Sequence, residues 1–185
     1  MIDPFNLVRP VTNSSELALF ACSVQGKQAA IQSDKLNSIF EILYEMLPVY
    51  ENMPFACIRA LNDEELLDVL KQFRMGQYGR LIQSYRQLSY FKDDHKFTLS
   101  ELTNIFGVGP KTARFILGYG WNEPCAILDV HILKYLRQCG IDAPQQTPQD
   151  ANTYLRLERE YFVLAEKAGL STMELDEKIW KEYST

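Results

Sequence analysis

Long apolar runs are absent from this sequence. None approaches the roughly 18–20 consecutive apolar residues of a membrane-spanning helix, so no membrane partner is expected. The first residues, Met1 to Arg9, include Asp3 and Pro4 and show no basic stretch followed by an apolar one. A signal peptide is therefore not expected. No CxxC pair occurs among the four cysteines, Cys22, Cys57, Cys125 and Cys139, which argues against a zinc site or an iron–sulfur cluster. Each cysteine lies among apolar residues and reads as a buried free thiol, as suits a reducing cytoplasm. Strand patterns, internal repeats and low-complexity tracts are missing too. What remains is an all-α architecture, with about nine to eleven helices joined by short loops.

The chain has enough apolar material for a core: 46% of its 185 residues are hydrophobic and 23% are charged. No disulfide or metal staple is needed. The net charge of −5 argues at first against a nucleic-acid partner. Its distribution argues the other way. Residues 1–70 carry 4 basic and 10 acidic groups, residues 71–140 carry 10 and 5, and residues 141–185 carry 5 and 9. Ordinary solvation produces such blocks as well, but a basic middle third also suits a phosphate-facing surface.

Apolar residues at three- and four-residue steps predict helices over Glu16–Ala21 and Ala29–Leu47, the second ending at Pro48. Asn62 with Glu65 and Thr98 with Glu101 are capping boxes, and Ser171 with Glu174 repeats the pattern. Tyr78–Leu88 predicts an amphipathic helix with Arg80 and Arg86 on its wet face. A long helix is expected from about Ala151 to Ala168, closed by Gly169, after a loop over Asp142–Pro148.

The segment with chemical content is Ile105-Phe106-Gly107-Val108-Gly109-Pro110-Lys111-Thr112-Ala113. Gly107 and Gly109 permit a tight turn that another chain can approach closely. Pro110 suits the first turn of a new helix, which is expected to stop near Gly118–Gly120. The N–H groups of the turn and of that helix start form an anion site suited to a phosphodiester, and such a grip reads backbone rather than sequence. Eighteen residues after Lys111, Asp129 stands at an N-cap position in Ala126-Ile127-Leu128-Asp129-Val130-His131-Ile132-Leu133-Lys134, ahead of a helix that Gly140 closes.

A helix-hairpin-helix followed by an Asp-x-His helix start resembles the helix-hairpin-helix (HhH-GPD) DNA glycosylase superfamily, over at least residues 98–137. The resemblance implies an all-α, two-lobed fold. The hairpin would lie at about 98–119, and the lobes would comprise about 25–125 and the N-terminal segment plus 126–185, with the active site between them. By position it makes Lys111 the nucleophile that attacks C1′ of the damaged nucleotide, and Asp129 the essential carboxylate. The physical chemistry agrees, because a lysine nucleophile acts as the free amine and a helix N-terminus disfavours an ammonium. Asp129 would stabilise an oxocarbenium-like sugar and help move protons, although an N-cap role alone would also account for it.

The four-cysteine cluster of the endonuclease III branch is lacking, and there is no room for the extra β-domain of the eukaryotic-type enzymes. The chain is therefore most similar to the compact bacterial and archaeal 8-oxoguanine DNA glycosylase/lyases. Phe73-Arg74-Met75 to Tyr78 and Leu175-Asp176-Glu177-Lys178-Ile179-Trp180 support this. Val130, where that branch typically has arginine, and the ending Tyr183-Ser184-Thr185, where it typically has a lysine, depart from it.

The resemblance implies base-excision repair of duplex DNA with β-lyase activity, through a lysine Schiff base and on an oxidised purine, 8-oxoguanine above all. Two alternatives stand beside it: a non-catalytic helix-hairpin-helix DNA-binding module, and a glycosylase for another lesion such as an oxidised pyrimidine. DNA contacts are expected from Gly107, Val108, Gly109, Thr112, Arg74, Arg80 and His131. An extruded base needs aromatic faces and polar edge-readers. The candidates are Gln25, Gln28, Lys27, Phe106, Trp121 and Trp180, with plain core packing the competing account of each aromatic. No cofactor is required. A monovalent cation, Na⁺ or K⁺, on the main-chain carbonyls of Thr103, Ile105 and Val108 is implied by family position. A monomer is expected, in a prokaryotic cytoplasm, partnered by damaged duplex DNA.

Overall fold

The computed structural model describes residues Ser14 to Tyr183; the leader reading at Met1–Arg9 and the terminal Ser184-Thr185 lie outside them. The described residues form ten α-helices and one 3-10 turn, without strands. They are α1 (Ser14–Ser23), α2 (Ala29–Met46), the turn Pro48–Tyr50, α3 (Pro54–Ala60), α4 (Asp63–Gln72), α5 (Tyr78–Ser89), α6 (Leu99–Thr103), α7 (Pro110–Trp121), α8 (Val130–Gln138), α9 (Ala151–Ala168) and α10 (Thr172–Tyr183). None of these helices is long and apolar enough to cross a membrane.

The described residues pack as two compact units, divided between Val108 and Gly109. In the first unit α1 is buried on every side, with Ser15 and Glu16 shut away along with Leu17, Leu19, Phe20 and Cys22. A helix of that kind belongs at a centre, and α2, α3 and α5 pack around it. The short α3, which the periodicity does not announce, owes its position to partners distant in sequence. The Asp93 carboxylate accepts from the Phe55 and Ala56 N–H groups at 2.7 and 3.1 Å, and Arg59 donates to the Phe91 carbonyl at 2.8 Å.

The second unit closes over a core that includes Leu128, Leu133, Leu136, Tyr154, Leu157, Tyr161 and Ile179. α10 packs on α8 and α9. The predicted caps form here and in the first unit: Asn62, Thr98 and Asp129 each accept N–H groups of the helix they open, and Gly169, at φ 67°, closes α9.

Four expectations change. First, α7 passes through Gly118 and Gly120 to Trp121 and stops at Asn122. Gly118 is there for space, since a methyl group on it would fall 2.5 Å from Met173 Sδ. Second, Cys139 is exposed while Cys22, Cys57 and Cys125 are buried, because it caps the end of α8 beyond the core stripe. Third, Pro48 ends α2 but opens the 3-10 turn. Fourth, Arg86 does not sit on a wet face. It donates to Asp63 Oδ1 at 2.8 Å, to the Leu61 carbonyl at 2.7 Å and to the Ile58 carbonyl. These carbonyls end α3, so Arg86 ties α5 to it. Arg86→Ala should therefore lower unfolding stability by about 1–3 kcal/mol in urea titrations, the range for hydrogen bonds to a charged group, and leave duplex affinity nearly unchanged.

Candidate catalytic and DNA-binding site

In the first unit the hairpin begins where α6 ends. The Val108 N–H donates to the Ile105 carbonyl at 3.0 Å, and Gly107 takes φ 78°. Ile105 and Val108 are buried and anchor the turn, while Phe106 stays 46% exposed. The Val108 side chain thus points inward, and what it can offer DNA is main chain. The backbone angle at Gly107 favours glycine, while a Cβ there would make only ordinary contact, 3.5 Å, with the Arg80 side chain. The Ile105 carbonyl, already taking one hydrogen bond, keeps a second lone pair.

Gln25 and Arg80, both predicted, meet this turn, as does Gln87, which was not. Gln25 Nε2 donates to the Gly107 carbonyl at 2.6 Å, and Gln87 Oε1 accepts from the Phe106 N–H at 2.5 Å. Lys27 Nζ donates to the Met75 carbonyl. Burial, followed by the positive charges of Arg80 and Lys35, holds its amine below the usual lysine range. Arg80 donates through Nε to Gln77 Oε1 at 2.6 Å, while both its terminal nitrogens are buried without a hydrogen-bond partner. Donors of that kind, beside an exposed glycine turn, are suited to an incoming anion. Arg74 and Gln77, at φ 51° and 50°, carry left-handed strain on either side of Gly76, which takes φ 67° without it. Arg74 and Gln28 are exposed, and Gln28 offers α2 no side-chain cap.

In the second unit Gly109 occupies the N-cap of α7, without a side chain to cap it, and Pro110 follows. The first-turn N–H groups of any helix lack intrahelical partners, so this end keeps its partial positive charge. Lys111 is exposed on that turn, while Thr112 is buried and its side chain faces the interior. Asp129 divides its carboxylate. Oδ1 accepts both cap bonds, from the His131 and Ile132 N–H groups at 2.8 and 2.9 Å, and Oδ2 takes no part in the cap. His131 and Trp121 are half-buried, and Trp180 is 40% exposed on α10. Neither Phe106 nor Trp180 is simply core. No cluster of three metal-ligating acid, histidine or cysteine side chains occurs among the described residues.

Sequence reasoning missed Asp176. It accepts from the Tyr119 hydroxyl at 2.7 Å. Enclosure, then the negative charges of Asp129 and Glu177, raise its carboxyl to about 7, against the lowering effect of the Tyr119 bond. A signal existed, since Asp176 stands three residues from Met173 and three from Ile179, on a buried helical stripe.

No family model matches the sequence. The all-α frame, the glycine hairpin and the Asp-capped helix are the elements on which the resemblance to helix-hairpin-helix glycosylases rests. The particular likeness is to archaeal 8-oxoguanine enzymes. The 8-oxoguanine DNA glycosylase/AP lyase of Saccharolobus solfataricus is 28% identical over 142 residues, 67% of each chain. The Methanocaldococcus jannaschii 8-oxoguanine glycosylase/lyase, solved with a 15mer DNA containing 8-oxoguanine, superposes with a TM-score of 0.71 at 20% identity, covering 94% of this chain and 83% of that one. A second structure of the M. jannaschii enzyme gives 0.69 at 19% identity, over 93% and 78%. The present chain has their fold, as the hairpin resemblance implied.

The raised Asp176 carboxyl has a consequence for stability. Its folded value of about 7 lies above the ordinary 3.8, so the folded state holds the proton more tightly. That stabilisation is complete below pH 3.8 and is lost as pH rises towards 7. The melting temperature of the wild type should therefore fall relative to that of Asp176→Asn across this window. Parallel curves from pH 4 to about 7 would contradict the assignment.

Proposed function

We propose that this protein is a base-excision DNA glycosylase with AP lyase activity that removes 8-oxoguanine from duplex DNA. The observation that carries the reading is Lys111 on the first turn of an uncapped helix behind an exposed glycine turn, in a chain with the fold of archaeal enzymes named for this reaction. A non-catalytic hairpin module has no use for a lysine there paired with an aspartate that keeps one oxygen out of its cap.

The chemistry follows from these groups. The hairpin N–H groups and the α7 N-terminus hold a phosphate. The target nucleotide leaves the stack. The Lys111 amine attacks C1′ and the glycosidic bond breaks, its electron pair departing with the base, which takes up a proton. The lysine nitrogen loses its proton as the sugar ring opens to a Schiff base. Loss of a C2′ proton then expels the 3′ phosphate. Asp129 Oδ2 faces the developing positive charge at the sugar. Gln25 and Lys27, with Phe106 and Trp180, are the groups we assign to the extruded base, and Arg74, Arg80 and His131 those assigned to the DNA backbone. No cofactor takes part. Carbonyls of Thr103, Ile105 and Val108 would hold a monovalent cation, which would supply positive charge at the hairpin. The enzyme acts as a monomer, in the cytoplasm.

Borohydride should trap a covalent adduct on 8-oxoguanine duplex, and Lys111→Gln should abolish it. If no adduct forms across a panel of lesions, the hairpin serves binding alone. Asp129→Asn should slow base release by about 100-fold or more, the scale of a lost transition-state charge partner, with duplex affinity retained. Gln25→Ala should reduce discrimination between 8-oxoguanine and guanine more than overall affinity; equal losses would remove Gln25 from the pocket.

A further inference from the structure

A buried polar relay within the second unit runs from the turn of α7 that carries Lys111 to the segment that presents Asp129. Arg114, one turn after Lys111, donates through Nη1 to the Pro110 carbonyl at 3.4 Å. It donates through Nε and Nη2 to the two oxygens of Glu158 at 2.6 and 2.9 Å. Both residues are buried, 5% and 8% exposed. Glu158 Oε1 also accepts from the Ala126 N–H at 3.1 Å. Tyr154, whose ring lies 4.1 Å beneath the Arg114 guanidinium, donates its hydroxyl to the Ala126 carbonyl at 2.8 Å and accepts from the Leu128 N–H at 3.2 Å. Thr147 donates to the Leu128 carbonyl at 2.7 Å. The segment 126–128 is therefore held by side chains, and Asp129 is the next residue.

We infer that Glu158, Arg114 and Tyr154 are positioning residues that set the Asp129 carboxylate relative to the Lys111 amine. A segment that needed only burial would be served by apolar packing, and buried ion pairs are weak contributors to stability. This pair joins two backbones, each one residue or a few residues from a reacting group. A displacement of about 1 Å at such groups costs on the order of 100-fold in rate. The inference rests on the proposed glycosylase reading and deepens it.

The test compares wild type, Glu158→Gln, Tyr154→Phe and the double variant Arg114→Met/Glu158→Met in three measurements: single-turnover release of 8-oxoguanine, affinity for a duplex with a tetrahydrofuran abasic analogue, and melting temperature. Glu158→Gln strands the guanidinium charge and should melt lower. The double variant removes both charges and should regain much of that loss. All three variants should release base roughly tenfold or more slowly at temperatures well below melting, with affinity held within about twofold. If the double variant regains rate together with stability, or if all variants match wild type, the relay is structural only and the inference fails while the glycosylase reading stands. A wild type that releases no base from any lesion overturns both.

Discussion

Arg114 and Glu158 are opposite charges removed from water. Such a pair is tolerable inside a protein only when the remaining protons and lone pairs also find partners. Here they do, in the Pro110 carbonyl, the Ala126 N–H and the face of Tyr154. Those partners organise the second unit. The α7 start, the α9 helix and the stretch leading to α8 are fastened to one carboxylate, and the core of Leu128, Leu133, Leu157 and Ile179 closes around them.

The charged groups singled out above differ between the two units. Around Gly107 the first unit places Lys27, Arg80 and an open turn, with no carboxylate among the hydrogen-bond partners described there. The second places Lys111 and Asp129, along with a further acid, Asp176. This resolves the acidic total of the chain: the basic middle third contains the hairpin, and much of the acidic surplus lies elsewhere, in part as capping-box partners such as Glu65 and Glu174.

What could be read from the sequence was local. Capping boxes, the glycine turn, Pro110 and Asp129 depend on residues within four positions of one another, and each formed as read. The motif that implied the fold was local as well. Contacts between distant residues were not legible. Asp93 holds α3 from 38 residues away, Arg86 looked like a free surface charge until its carbonyl partners were in place, and Glu158 meets Arg114 across 44 residues. The signal that existed was a charge on an apolar stripe. Glu158 sits with Tyr154 and Tyr161, and Asp176 with Met173 and Ile179; charge at such a place marks a buried partner rather than a solvated face.

The bare start of α7 carries one more implication. Asn62, Thr98, Asp129 and Asp150 each give their helix a side-chain cap, but Gly109 gives none. A phosphate seated there would act as the missing cap, so occupancy and local order become linked equilibria. On the proposed reading, duplex DNA would steady the first turn of α7, and salt, which competes for the phosphate, would loosen the helix that bears Lys111 as well as the grip on DNA.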